Sequence, residues 1–336
     1  MYQHESPGER ALCFWSWNAK LDLPELVRQL EDFANGKFGG VIIHSRAGLE
    51  VPYMGEEWFE AYSAALKEAK RLGLHVWIYD EDGWPSGFAG GAVPALGDQH
   101  CLKKLKSRYG GDYTENILAV YRLMPDGSKR EHIQPNAGMK IEENDLVFYI
   151  EIDRHYVDLL NRETVANFIR LTHEKYKERF SDYFGNVIKG VFTDEPQVNV
   201  DGFAWSDSLP DGFKLMYGEE LWRKLYLLVE PADGYKLFRY KFWKLVNSLM
   251  FESYTKQIAE WCGRNNLILT GHFGAEDGLC EQVASNGGVM THYTAMQMPG
   301  IDYLGNRLTS PVLIKQLSSI AHQMNKPYTL SETFGC

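Results

Sequence analysis

Gly190-Val191-Phe192-Thr193-Asp194-Glu195-Pro196-Gln197 is a stretch in which the chain changes character within two residues. Val187, Ile188, Val191 and Phe192 make a short apolar run, broken by Lys189 and Gly190. Thr193, Asp194 and Glu195 follow it at once. Pro196 has no N–H to give a sheet ladder, so the strand stops there. The reading is a buried strand that ends where two carboxylates begin. Taken alone, such a pattern is explained as well by acids that solvate a strand end. It gains weight because it recurs, as it does in a parallel α/β barrel, whose chemistry sits at the C-terminal ends of its strands.

Working outward, residues 11–17 read as a strand that runs into Asn18. Residues 39–43 read as a second strand ending in His44-Ser45-Arg46, and residues 74–79 as a third ending in Asp80-Glu81-Asp82. Between them, Leu23, Leu26, Val27, Leu30 and Phe33 keep helical spacing, as do Trp58, Tyr62, Leu66 and Ala69. Strand–helix units joined by short connections imply right-handed crossovers and a parallel sheet. After the glycine-rich loop 83–91 the pattern turns to β. Strand-like runs at 116–123 and 145–152, with a Pro125-Asp126-Gly127 turn, predict a small β-subdomain inserted at 102–153. Helix returns at 162–180 and leads into the opening strand. Further on, helices are expected at 218–228, 235–264 and 312–324. Strands are expected at 267–270, ending in Gly271-His272-Phe273; at 288–291, ahead of His292; and at 328–330, ending in Ser331-Glu332. The expected fold class is α/β, a (β/α)8 TIM barrel truncated after its seventh strand. An open doubly wound sheet is disfavoured because no glycine-rich phosphate fingerprint follows the first strand.

Composition narrows the function. The chain of 336 residues is 44% hydrophobic and carries a formal net charge of -10. That balance opposes nucleic acid, whose phosphates need a Lys/Arg surface. No apolar run approaches transmembrane length, and the start, Met1-Tyr2-Gln3-His4, lacks the basic and apolar segments of a signal peptide. Cys13, Cys101, Cys262, Cys280 and Cys336 show no metal-ligand spacing and read as free thiols, so a reducing, cytoplasmic setting is expected. No organic cofactor motif appears.

The strand ends offer His44, Arg46, Asp80, Glu81, Asp82, Asp194, Glu195, His272, Glu276, His292 and Glu332. Any one of them is ordinarily a solvated or salt-bridged side chain. In a barrel they converge on one mouth, where Trp17 and Trp84 are placed to stack on a sugar. Convergent carboxylates beside aromatic rings point to glycoside hydrolysis, which needs one protonated acid and one ionised carboxylate. Glu195 and Glu332 are the pair expected to face each other across the sugar. Two other readings stand beside this one: a barrel that binds carbohydrate without turnover, and a metal-dependent hydrolase using His44, Asp80, His272 and His292.

Several motifs resemble the family 106 glycoside hydrolases, which comprise α-L-rhamnosidases and their relatives. They are the Trp15 to Asn18 start, Gly39-Gly40-Val41-Ile42-Ile43-His44-Ser45-Arg46 and Tyr79-Asp80-Glu81-Asp82-Gly83-Trp84-Pro85-Ser86-Gly87. Thr193-Asp194-Glu195-Pro196, Gly271-His272-Phe273 and Ser331-Glu332 complete the set. The resemblance implies a catalytic barrel followed by further β-rich domains, which this chain is expected to lack. It implies inversion, with Glu195 as general acid and Glu332 as general base, and a calcium ion that assists sugar binding. Asp80, Glu81 and Asp82 are the calcium candidates on chemical grounds, because calcium prefers several oxygen ligands.

Overall fold

Strand after strand runs in the same direction and in chain order around a curling sheet. The computed structural model describes residues 10–333 apart from 126, 128, 129, 199 and 305–310. The chain start, Asp126 of the expected turn and Cys336 therefore lie outside the described residues. Strands β1 (Leu12–Trp17), β2 (Gly40–Ser45), β3 (His75–Asp82), β8 (Ile188–Asp194) and β10 (Ile268–His272) form one parallel ladder in that order. A parallel pair continues the curl, β11 (Gly300–Tyr303) with β12 (Leu330–Thr333). The N–H of Met298 donates to Leu269 O at 3.1 Å and ties this pair to β10. Among the described residues no ladder joins β12 to β1. The architecture is thus a curled half-barrel rather than a closed eight-stranded one.

Side chains alternate across each strand, and this decides what lines the barrel. Phe14, Ile42, Trp77, Tyr79 and Phe192 meet on the inside. Trp15, Trp17, Val41, Ile43, Val76, Ile78 and Val191 point outward. There they pack beneath helices α1 (Leu23–Asn35), α2 (Glu56–Leu72), α3 (Arg162–Leu171) and α4 (His173–Phe180). The α1 start is capped by Asp22, whose carboxylate accepts from the N–H of Glu25.

The second sheet is antiparallel, with order β6-β5-β7-β4-β9. Its strands are β4 (Cys101–Tyr109), β5 (Ile117–Leu123), β6 (Arg130–Ile133), β7 (Leu146–Val157) and β9 (Phe203–Trp205). Strand β9 comes from beyond β8, so the sheet is not made from one contiguous segment.

Two expected elements need correction. The expected helix at 218–228 is replaced by α5 (Leu209–Tyr217) and two single 3-10 turns, Leu221–Arg223 and Leu225–Leu228. Pro210 sits in the first turn of α5, and Gly218 terminates it instead of opening a helix. The expected strand at 288–291 is not formed: Gly288 and Val289 are a connection, and Met290 and Thr291 open α9 (Met290–Ala295), preceded by α8 (Leu279–Asn286). The sixth strand of the curl is instead β11, only four residues long. The long helix at 235–264 is α6 (Tyr235–Met250) and α7 (Lys256–Arg264), joined by one π turn, Phe251–Thr255. Helix α10 (Val312–Gln323) precedes β12. The described cysteines, Cys13, Cys101, Cys262 and Cys280, are free thiols. Among the described residues no helix is long and apolar enough to cross a membrane.

Candidate functional site

The C-terminal ends of β8, β10, β11 and β12 bring their polar side chains to one place. Asp194 closes β8. Its Oδ2 accepts from the hydroxyl of Tyr79 at 2.5 Å, and its Oδ1 lies 3.5 Å from His272 Nε2. His272 closes β10, and its Nε2 donates to Glu332 Oε2 at 2.7 Å. Gly271 allows this approach. Its φ is 121°, and a Cβ there would fall 1.8 Å from the carbonyl oxygen of Thr193. Glu195 follows Asp194 with a left-handed φ of 47°, and its N–H donates to His272 O at 3.2 Å. Asp302 pairs in register with Glu332 across β11 and β12. One carboxylate oxygen each of Glu195 and Asp302 and one ring nitrogen of His272 lie within 4.8 Å of one another. Glu276, in the turn after β10, accepts from the N–H of Phe273 and, at 2.8 Å, from the hydroxyl of Tyr293.

One cation stands among these acids. Burial opposes charge on His272. The hydrogen bond to Glu332 and the charges of Asp194, Glu276 and Glu332 outweigh it, and its pKa is pushed up to about 9. Burial raises the carboxyl of Glu195, and the charge of Asp194 adds to this; Asp302 and Glu332 act the same way, against His272. Burial raises Asp194 and Asp302 too, with His272 opposing in both. Glu276 is pushed up to about 7, chiefly by burial. The mouth therefore favours a mixture of protonated and ionised carboxyls around a charged imidazole.

Other expected residues flank this group. His44 is buried and stacks on Tyr79 with ring centroids 3.8 Å apart. Burial, helped by Arg46, pulls its pKa to about 3, so the ring is neutral. The guanidinium of Arg46 lies 4.8 Å from the centroid of the Trp84 ring, which is 56% exposed.

The remaining expected residues go elsewhere, mostly because of strand parity. Trp17 shares the outward parity of Trp15. It is buried against Trp58 at 4.9 Å as part of the outer core, which corrects its expected place beside a sugar. Asp80 points the opposite way from Tyr79. Its Oδ1 accepts from the Ser86 hydroxyl at 2.6 Å, and its Oδ2 lies 4.0 Å from His173 Nε2. Glu81 is engaged by its own loop. Oε2 accepts from the N–H groups of Gly87, Phe88 and Ala89, and Oε1 from those of Asp82 and Gly90, at 2.6–3.0 Å. Asp82 Oδ1 takes the Ser45 hydroxyl at 2.5 Å. His292 is buried, with Nδ1 2.7 Å from Thr255 Oγ1 and Nε2 near Asn247 and the carbonyl of Asn286. So His44, Asp80, His272 and His292 do not assemble one centre.

Asp302 and Tyr79 belong to the mouth and were missed. Asp302 sits on the strand that was misplaced. Tyr79 was read only as apolar strand, although it has the inward parity that aims a hydroxyl at Asp194.

Two groups could offer metal ligands, Asp194-His272-Glu332 and Glu195-His272-Asp302, each with its atoms within 4.8 Å. Two carboxylates and an imidazole do not match calcium's demand for oxygen ligands, and they suit zinc or manganese better. Asp80, Glu81 and Asp82 point to separate partners and form no such group among the described residues.

In class, this is a curled α/β half-barrel whose strand ends gather carboxylates around one imidazole. No family model matches the chain, and no curated protein does. Among solved structures it is similar to a rhamnosidase from Novosphingobium sp. PP1Y, with a TM-score of 0.69 and 14% identity. The match covers 98% of this chain and 52% of that one, so the chain spans about half the length of the structure it resembles. At this identity the likeness shows the fold, and at that level it bears out the resemblance read from the motifs.

Proposed function

We propose that the protein is a glycoside hydrolase of the α-L-rhamnosidase kind, acting with inversion, with Glu195 as general acid and Glu332 as general base. The observation that carries this reading is the meeting of Glu195 and Glu332 around one imidazole, His272, at the ends of parallel strands. The rhamnosidase fold supports it. So does the environment of Glu195, since partial burial and the like charge of Asp194 raise its carboxyl above the usual range, the direction a general acid needs. Glu332 gives one oxygen to His272 and keeps the other for a water molecule. That water attacks the anomeric carbon as Glu332 takes its proton. Glu195 passes its own proton to the departing glycosidic oxygen, and the bond breaks. Trp84 and Arg46 form a wall for the sugar, the indole against C–H faces and the guanidinium toward hydroxyls. We take the seven strands as part of a (β/α)8 barrel whose eighth belongs between β12 and β1.

The test is turnover of aryl glycosides, α-L-rhamnoside included, with the anomer of the released sugar followed by NMR. Glu195→Gln and Glu332→Gln are each expected to lower kcat/KM by about 10²–10⁴ with the fold intact. Full activity in both variants would remove the assignment, and a product of retained configuration would remove inversion.

The second reading is a metal-dependent hydrolase, favoured by the two three-residue groups around His272. Stoichiometric zinc or manganese in the purified protein would support it. A metal bound there would displace the proton that the surrounding acids hold on His272, so its uptake would strengthen as pH rises.

A further inference from the structure

We infer that Ser86 is a positioning residue for Glu195, acting by fixing the backbone at the end of β8; this rests on Glu195 being the general acid. The ladder between β3 and β8 runs only as far as Tyr79 opposite Phe192. Beyond it, the backbone groups of Asp194 that face β3 have no strand partner. Ser86 supplies both. Its N–H donates to Asp194 O at 2.7 Å, and its Oγ accepts from the Asp194 N–H at 2.8 Å. Its hydroxyl proton goes to Asp80 Oδ1, which leaves an oxygen lone pair directed at Asp194. One buried residue, through its backbone N–H and its hydroxyl, thus replaces the missing strand.

The next residue is Glu195, in the left-handed region. That conformation is strained for a residue with a Cβ and persists only where the surroundings enforce it. Here they do so from two sides. Ser86 holds Asp194 on the β3 side, and His272 O holds the Glu195 N–H on the β10 side. The resulting turn places the Glu195 carboxyl near His272 and Asp302. Ser86 is itself anchored. Gly87, at φ 130°, passes so close to Leu159 that a Cβ would fall 2.9 Å from its Cδ2, and Glu81 binds the N–H groups that follow. Without the Ser86 hydroxyl the Asp194 N–H loses its acceptor, the Thr193–Asp194 peptide that leads into the turn is no longer fixed on the β3 side, and the acid loses its aim.

A misplaced general acid has a signature that general loosening lacks. A glycoside with an activated leaving group departs without proton transfer, whereas a poor leaving group requires it. The experiment compares dinitrophenyl and benzyl α-L-rhamnosides with wild-type protein, Ser86→Ala and Ser86→Cys. In Ser86→Ala, kcat on the benzyl glycoside is expected to fall about 10²-fold, with KM little changed. On the dinitrophenyl glycoside kcat should stay within about threefold. Ser86→Cys keeps a weak donor and acceptor and should lie between. Equal losses on both substrates, or no loss on the benzyl glycoside, overturn the positioning role while leaving Glu195 as the acid. Should Ser86→Ala not fold, the same contrast in Ser86→Cys decides. A wild-type protein that hydrolyses neither glycoside removes the glycosidase reading and this inference together.

Discussion

His272 sets the charge balance of the mouth, so its proton should be visible in stability. Its pKa in the folded chain is about 9, against about 6.5 for an ordinary imidazole. A raised pKa means that the folded state binds the proton more tightly. The added stability is fully present below pH ~6.5 and is lost as pH rises through about 9. The groups facing the ring are Asp194, Glu276 and Glu332 by charge, with Glu195 and Asp302 beside it. Urea unfolding of wild type and His272→Gln from pH 6 to 10 should show the wild-type advantage shrink by roughly 3 kcal/mol. A constant advantage across that range would mean that the ring is neutral when folded. Much of this site was legible from strand ends alone: Asp194, Glu195, His272 and Glu332 were all named, and they meet. What residue type could not reveal was facing. Trp17 and Asp80 have the same chemistry whether they point in or out. Only the alternation counted from Phe14 and Tyr79 sends Trp17 to the helices and Asp80 toward His173.

At the scale of elements, the loop after β3 is built around one carboxylate. Five backbone N–H groups converge on Glu81, so the glycine-rich segment is a fixed wall of the mouth rather than a free flap. Glu81→Gln replaces one acceptor oxygen with a donor and turns it against buried N–H groups. The expected cost is about 2–4 kcal/mol, with new protease cleavage confined to residues 83–91. Unchanged stability and an uncut loop would show that the wall is held by something else. The sequence marked this loop by its glycines but held no sign of the clamp, because an acid at a strand end reads as solvated. The strands β1, β2, β3, β8 and β10 were readable as apolar runs closed by polar residues. Strand β11 was not, since Gly300-Ile301-Asp302-Tyr303 has a single outward apolar residue. The apolar run at 288–291 offered a better-looking strand. Its second half opens α9 instead, because local hydrophobicity does not distinguish a short strand from a helical turn.

At the scale of the whole molecule, the antiparallel sheet and the half-barrel share one core. Leu105, Ala119, Tyr121 and Phe148 of the antiparallel sheet belong to the same continuous cluster as Val41, Ile78 and Val191 of the parallel one. The helix α6–α7 runs between them. Phe242, in its first half, meets Phe203 of β9, with rings 6.3 Å apart. Trp261, in its second half, meets His173 beside the barrel, with rings 5.1 Å apart. Strand β9 adds a covalent tie, since the chain must leave β8, join the antiparallel sheet and return through this helix. Polar contacts follow the same seam: Tyr121 donates to Trp222 O at 2.6 Å, and Arg130 pairs with Glu230 at 2.6 Å. A sheet that could open by itself would have to strip α6 from its own face and leave Phe203 and Phe242 in water. Burying two such rings is worth about 3–6 kcal/mol, so separate opening is disfavoured. Unfolding in urea should therefore be a single transition, coincident by tryptophan fluorescence and far-ultraviolet circular dichroism. Amides of β4 and β7 should show the same opening free energy in hydrogen exchange as those of β2 and β3. Earlier exchange throughout β4–β7, with the parallel strands still protected, would show instead that the insertion is a separate cooperative unit resting on the barrel.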